Sequence, residues 1–145
     1  MITYTVKIKP TVADVELPSF QSRGAAAMDI RVAHPVLLPP METRSVSCGF
    51  AMELPVGMEA QIRPRSGMSR DGILVHFGTI DSDYRGEIEV ILTNLSGKGV
   101  TIKKNERIAQ MAIATSHTSL ARFSVVEHLS ETKRGESGFG STGRT

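Results

Sequence analysis

The chain has 145 residues, of which 40% are hydrophobic and 22% charged, and a net charge of +2. This size and balance suit one soluble globular domain with a single core, and they exclude a nucleic-acid or membrane surface built on bulk charge. No apolar run of membrane-spanning length occurs, Met1–Lys7 carries no secretory signal pattern, and the lone Cys48 has no partner for an intrachain disulfide, so a cytoplasmic protein is expected, without nucleic-acid or membrane partners.

Apolar stretches are short and interrupted by turn residues. In chain order, strands are predicted at Thr5–Lys9, Val36–Leu38, Arg44–Met52, Glu59–Arg63, Ile73–His76, Ile88–Thr93, Val100–Ile102, Ile108–Ala114 and Arg122–Val126. The breaks fall at Pro39-Pro40, Pro55, Gly57, Pro64, Gly72, Gly86, Gly97 and Gly99. No segment of helical length keeps a 3.6-residue apolar rhythm; a short helix can follow Ser66-Gly67-Met68-Ser69. Many short strands with regular turns predict an all-β sandwich or barrel. The β-barrel domain should span residues 1–129, and residues 130–145 should form a flexible C-terminal arm. Cys48 has no catalytic context and reads as a small buried hydrophobe.

Five clusters carry possible chemistry. Gly24-Ala-Ala-Ala-Met28-Asp29-Ile30 ends a run of small residues with one acid, which could hold hydrated magnesium or simply close a loop. In Arg63-Pro64-Arg65-Ser66-Gly67, Ser66 could cap a helix and Arg65 could grip a phosphate; taken alone, the cluster fits an ordinary strand-to-helix turn with a solvated arginine slightly better. Gly78-Thr79-Ile80-Asp81-Ser82-Asp83-Tyr84-Arg85-Gly86 puts Asp81 next to a strand end, where a carboxylate can orient and deprotonate water, although Asp-Ser-Asp also suits a plain turn. Gln110 is polar inside an apolar strand and needs a partner, from a ligand, the backbone or another subunit. The last cluster, Arg134 to Gly143, interleaves Gly135, Gly138, Gly140 and Gly143 with Phe139, Ser141 and Thr142. Free N–H groups, an aromatic face and a guanidinium fork could close over a nucleotide, or form an ordinary polar tail.

Taken together, these clusters resemble the five ordered motifs of the homotrimeric dUTPases (deoxyuridine 5′-triphosphate nucleotidohydrolases), in family order from residue 24 to residue 143. The resemblance implies a jelly-roll-like distorted barrel and a homotrimer with active sites shared between subunits. It also implies hydrolysis of dUTP to dUMP and pyrophosphate with Mg2+. By position, Asp81 matches the carboxylate that activates water, and Tyr84 the aromatic that packs under deoxyribose and excludes a 2′-hydroxyl. Arg65, Ser66 and Gly67 match the phosphate-binding motif, and Gln110 an amide near the phosphates. Asp29 matches the acid that reaches magnesium through water. Arg134 should reach the γ-phosphate, Phe139 stack over uracil, and Gly140, Ser141 and Thr142 donate to the terminal phosphates.

Two features depart from the family pattern. Ser137 stands where the arm often has glycine. The segment from Gly72 to Asp81 is shorter than the usual uracil-reading hairpin and lacks its Asn, which leaves His76, with Gly78, Thr79 and Ile80, as the residues expected to face the base. Two further readings of the same fold are a dCTP deaminase and a regulatory binding module. The first would release ammonia from dCTP, and the second has no need of a water-activating acid.

Overall fold

The structure, a computed structural model, describes residues 3–138. Ten strands and one short helix run in the order β1 (Lys7–Pro10), β2 (Met28–Arg31), β3 (Val36–Leu38), β4 (Thr43–Glu53), β5 (Met58–Arg63), α1 (Ser66–Arg70), β6 (Ile73–Val75), β7 (Gly78–Ile80), β8 (Glu87–Asn94), β9 (Val100–Ile102) and β10 (Arg107–Thr115). A 3-10 turn follows at Thr118–Leu120. Two four-stranded antiparallel sheets, ordered β1-β4-β8-β6 and β2-β10-β5-β7, enclose the core, and the pair β3-β9 adds to it. The molecule is an all-β, jelly-roll-like structure, and the pairing of distant strands such as β4 with β8 supplies the crossovers.

Alternation in the sequence explains the layering. On β5, Met58, Ala60 and Ile62 point inward while Glu59, Gln61 and Arg63 do not; on β8, Ile88, Val90, Leu92 and Asn94 are buried. β4 breaks this rhythm with a run of buried residues from Cys48 to Met52. The cause is a bulge between Ser47 and Ala51. Gly49 sits in it with φ +73°, and a Cβ there would come 2.8 Å from the Val15 side chain, so only glycine fits. Pro10 is accommodated because β1 is an edge strand, paired on one side only.

Cys48 is fully buried, as expected; burial first, then the negative charges of Glu87 and Glu89, push its thiol up to about 12. Asn94 is the one polar residue among the fully buried side chains of the described residues, and its amide is saturated. Nδ2 donates to the carbonyls of Leu38 (2.9 Å) and Lys98 (2.8 Å), and Oδ1 accepts from the backbone and hydroxyl of Ser96.

The structure corrects several sequence expectations. Arg122–Val126 forms no strand; Phe123 and Val125 alternate with polar neighbours as in a strand, but within one chain no sheet edge receives the segment, and Phe123, Val125 and Val126 stand exposed. Two strands had no such signal, β2 and β7. The first strand begins later than predicted, at Lys7, and β6 ends before His76. Ser66 does not cap α1: it is the first helical residue, Arg65 occupies the cap position, and no side-chain cap bond forms. Gly72, at φ +81°, ends the turn by donating to the Ser69 carbonyl.

Candidate active site

The loop after β7 holds the acid and the aromatic together. Tyr84 N–H donates to the Asp81 carbonyl at 3.2 Å, closing a four-residue turn directly after the strand. Arg85 Nη1 donates to the carbonyls of Ser82 (2.7 Å) and Tyr84 (2.9 Å), and Tyr84 Oη donates to the Glu87 carbonyl at 3.0 Å. The loop is thereby braced on both sides, which gives Asp81 a rigid support. The Asp81 carboxylate is exposed, and among the described residues it has no hydrogen bond or ion pair. A cavity of about 260 Å³ lies here, lined by Gly78, Thr79, Ile80, Asp81, Tyr84 and parts of β8. Expected base-reading and sugar-reading residues are thus brought together, with one exception. His76 lies to the side, its Nε2 within 2.8 Å of Thr93 Oγ1, on a separate cleft of about 70 Å³ shared with Phe77 and Gly78.

A second cavity, of about 320 Å³, gathers Asp29, Arg65, Ser66, Gly67, Arg107 and Gln110. Sheet register explains the meeting: Gln110 on β10 stands level with Asp29 on β2 and with Arg63 on β5, whose next residues lead into α1. Gln110 Nε2 donates to the Pro64 carbonyl at 2.8 Å, so its partner is backbone, and the bond fixes the turn carrying Arg65. Asp29 is held between two arginines, with Oδ1 3.1 Å from Arg65 Nε and Oδ2 3.2 Å from Arg107 Nη1. Arg65 Nη1 also donates to the Arg107 carbonyl at 2.9 Å. The result is a cationic pocket wall with one acid inside it.

Nothing in the sequence singles out Arg107 as a lining residue, and the reason is physical. Residues three apart on a regular strand face opposite sides. A register shift between Arg107 and Ala109 puts Arg107 on the same side as Gln110, and no alternation pattern announces that bulge.

Arg134 is exposed, and its Nε donates to the Ser137 carbonyl at 2.9 Å within a local turn; it approaches neither cavity by any contact among the described residues. Phe139, Gly140, Ser141 and Thr142 lie outside the described residues.

The two cavities do not meet within one chain. β2 and β7 are opposite edges of their sheet, three strand spacings or about 14 Å apart. Asp29 is level with Arg63 while Ile80 is level with Ala60, which adds roughly 10 Å along the strands.

The dUTPase family model matches residues 13–143. The chain belongs to the dUTPase family. Two relatives share this membership, each named a deoxyuridine 5′-triphosphate nucleotidohydrolase. That of Rhizobium etli (strain CIAT 652) is 48% identical, with 89% of this chain and 86% of its own length covered. That of Zymomonas mobilis is 44% identical, with 98% of each covered. Among solved structures, the Staphylococcus bacteriophage 80alpha dUTPase with dUPNHPP superposes with a TM-score of 0.90 at 26% identity, covering 97% of this chain and 99% of that one. The family's naming as nucleotidohydrolases does not favour the dCTP deaminase reading.

Proposed function

We propose that this protein hydrolyses dUTP to dUMP and pyrophosphate, at sites shared between copies of a homotrimer. The observation that carries the reading is the turn after β7, where one hydrogen bond sets the Asp81 carboxylate and the Tyr84 ring on the lip of the same cavity. Asp81 would orient a water and take its proton as the water oxygen bonds to the α-phosphorus; the bond to the bridging oxygen breaks, and pyrophosphate leaves with that oxygen. Tyr84 would lie against the deoxyribose and leave no room for a 2′-hydroxyl. Gly78, Thr79 and Ile80 would meet uracil through the exposed groups of an edge strand, with His76 at the margin.

The cavity around Arg65, Ser66, Gly67 and Gln110 would take the phosphates, with guanidinium and backbone N–H donors offsetting their charge. Arg107 belongs with them. Since the two cavities lie apart in one chain, the triphosphate would bridge Asp81 of one copy and Arg65 of another. The exposed apolar strip of Phe123, Val125, Val126 and Leu129 supports assembly, because a lone chain leaves it in water. Arg134 would engage the γ-phosphate, Phe139 cover uracil, and Gly140, Ser141 and Thr142 donate to the terminal phosphates as the arm closes.

Magnesium fits in a limited way. Among the described residues no group of three acids, histidines or cysteines gathers into a metal cage. Asp29 is a single carboxylate with an arginine on each oxygen, and the lone pairs that remain suit a water of a hydrated ion. A dUTPase of phage phi11, which shares the fold, coordinates a structural Mg(II) ion. Magnesium bound to the triphosphate would supply charge neutralisation.

The test is pyrophosphate release from each dNTP and from UTP with magnesium. Activity confined to dUTP is expected, and Asp81→Asn should abolish it while keeping fold and nucleotide binding. Parent-like turnover by Asp81→Asn would remove the base assignment.

A further inference from the structure

We infer that Gly86 is a positioning residue for sugar selection: by lacking a Cβ it leaves the space in which the Tyr84 ring lies. The inference rests on the reading of Tyr84 as the residue that meets the deoxyribose. The ring is fixed at both ends, by the turn bond from its N–H to Asp81 and by the bond from its hydroxyl to the Glu87 carbonyl. Those two bonds fold it back over its own chain at Gly86. A Cβ built on Gly86 would overlap the Tyr84 hydroxyl, stand 2.5 Å from Cζ and 3.0 Å from Cε2. Non-bonded carbons settle at about 3.5–4.0 Å, so the ring and a methyl group cannot share this space.

The requirement is for room and not for an unusual backbone. Gly86 is not among the described glycines with positive φ, so alanine there meets no conformational strain. In a Gly86→Ala chain the group that gives way is the ring: Tyr84 is 47% exposed and has solvent to move into. Moving, it loses the Glu87 carbonyl and withdraws from the cavity wall it forms beside Ile80 and Asp81. Asp81 stays at the end of β7, since no contact ties its carboxylate to Gly86. The acid is therefore kept in place while the wall against an extra hydroxyl is opened.

Two readouts test this. The chain has two tyrosines, Tyr4 and Tyr84, and no tryptophan, so in a Tyr4→Phe background tyrosine fluorescence reports on Tyr84 alone. Acrylamide quenching of that signal should rise in Gly86→Ala, with far-UV circular dichroism and melting temperature checking the fold. In the same proteins, the preference for dUTP over UTP in kcat/KM should fall on the order of tenfold, the size of effect that a reshaped apolar wall has on an added hydroxyl. The loss for dUTP should lie in KM more than in kcat. Unchanged quenching, unchanged preference, or failure of Gly86→Ala to fold would each overturn the inference. A parent protein that turns over neither nucleotide would instead overturn the functional reading, and the inference with it; a discriminating parent beside an equally discriminating Gly86→Ala overturns the inference alone.

Discussion

At the scale of single residues, the side chains proposed to carry the chemistry are themselves supported by backbone groups. Tyr84 leans on the Glu87 carbonyl, Gln110 on that of Pro64, and Arg65 on that of Arg107. Asn94 works the same way in the core, tying the end of β8 to Leu38 and Lys98. Asn94→Ala strands the buried Leu38 carbonyl and should cost about 2 kcal/mol in chemical denaturation, a loss of the size that an unsatisfied buried group brings. An unchanged midpoint would mean that this carbonyl finds another partner. Asp81 could be singled out in the sequence because it follows an apolar residue, Ile80, although the strand that carries it, β7, gave no signal of its own. The sequence could not announce the clamp on Asp29, since Arg65 and Arg107 reach it across 36 and 78 residues of chain.

At the scale of elements, regular alternation was legible and bulges were not. β3 and β9 occur where the pattern placed them, and β5, β8 and β10 differ only at their ends. β2 and β7 were missed because one follows a run of small residues and the other starts with Gly78, and both are edge strands paired on one side. Arg122–Val126 begins with alternation, from Arg122 to Val125, and forms no strand, because alternation shows that a face wants cover and not what covers it. The bulge in β4 also gathers a polar knot. Ser47 and Thr11 donate to the Glu87 carboxylate, and these bonds, the one from Ser47 first, hold its pKa below the ordinary 4.5. A depressed carboxylate stabilises the fold above its ordinary value, and the contribution is lost as pH falls through the depressed one. The group is largely solvated, so the effect is small. Melting temperature should fall less steeply below pH 4.5 in Glu87→Gln than in the parent. Parallel curves would show that the knot does not stabilise the charged form.

At the scale of the molecule, the fold gives each chain two separate cavities, which we propose are halves of sites completed by another copy. β7 presents Asp81 and Tyr84 at one edge of a sheet, while β2, β10 and the turn after β5 present the cationic pocket at the other. The most direct test is complementation between two inactive proteins, Asp81→Asn and Arg65→Ala, unfolded together and refolded as mixed trimers. With equal mixing, one site in four combines both intact halves, so about a quarter of the parent dUTP hydrolysis should return. A mixture no more active than its separately refolded components would contradict a site shared between chains.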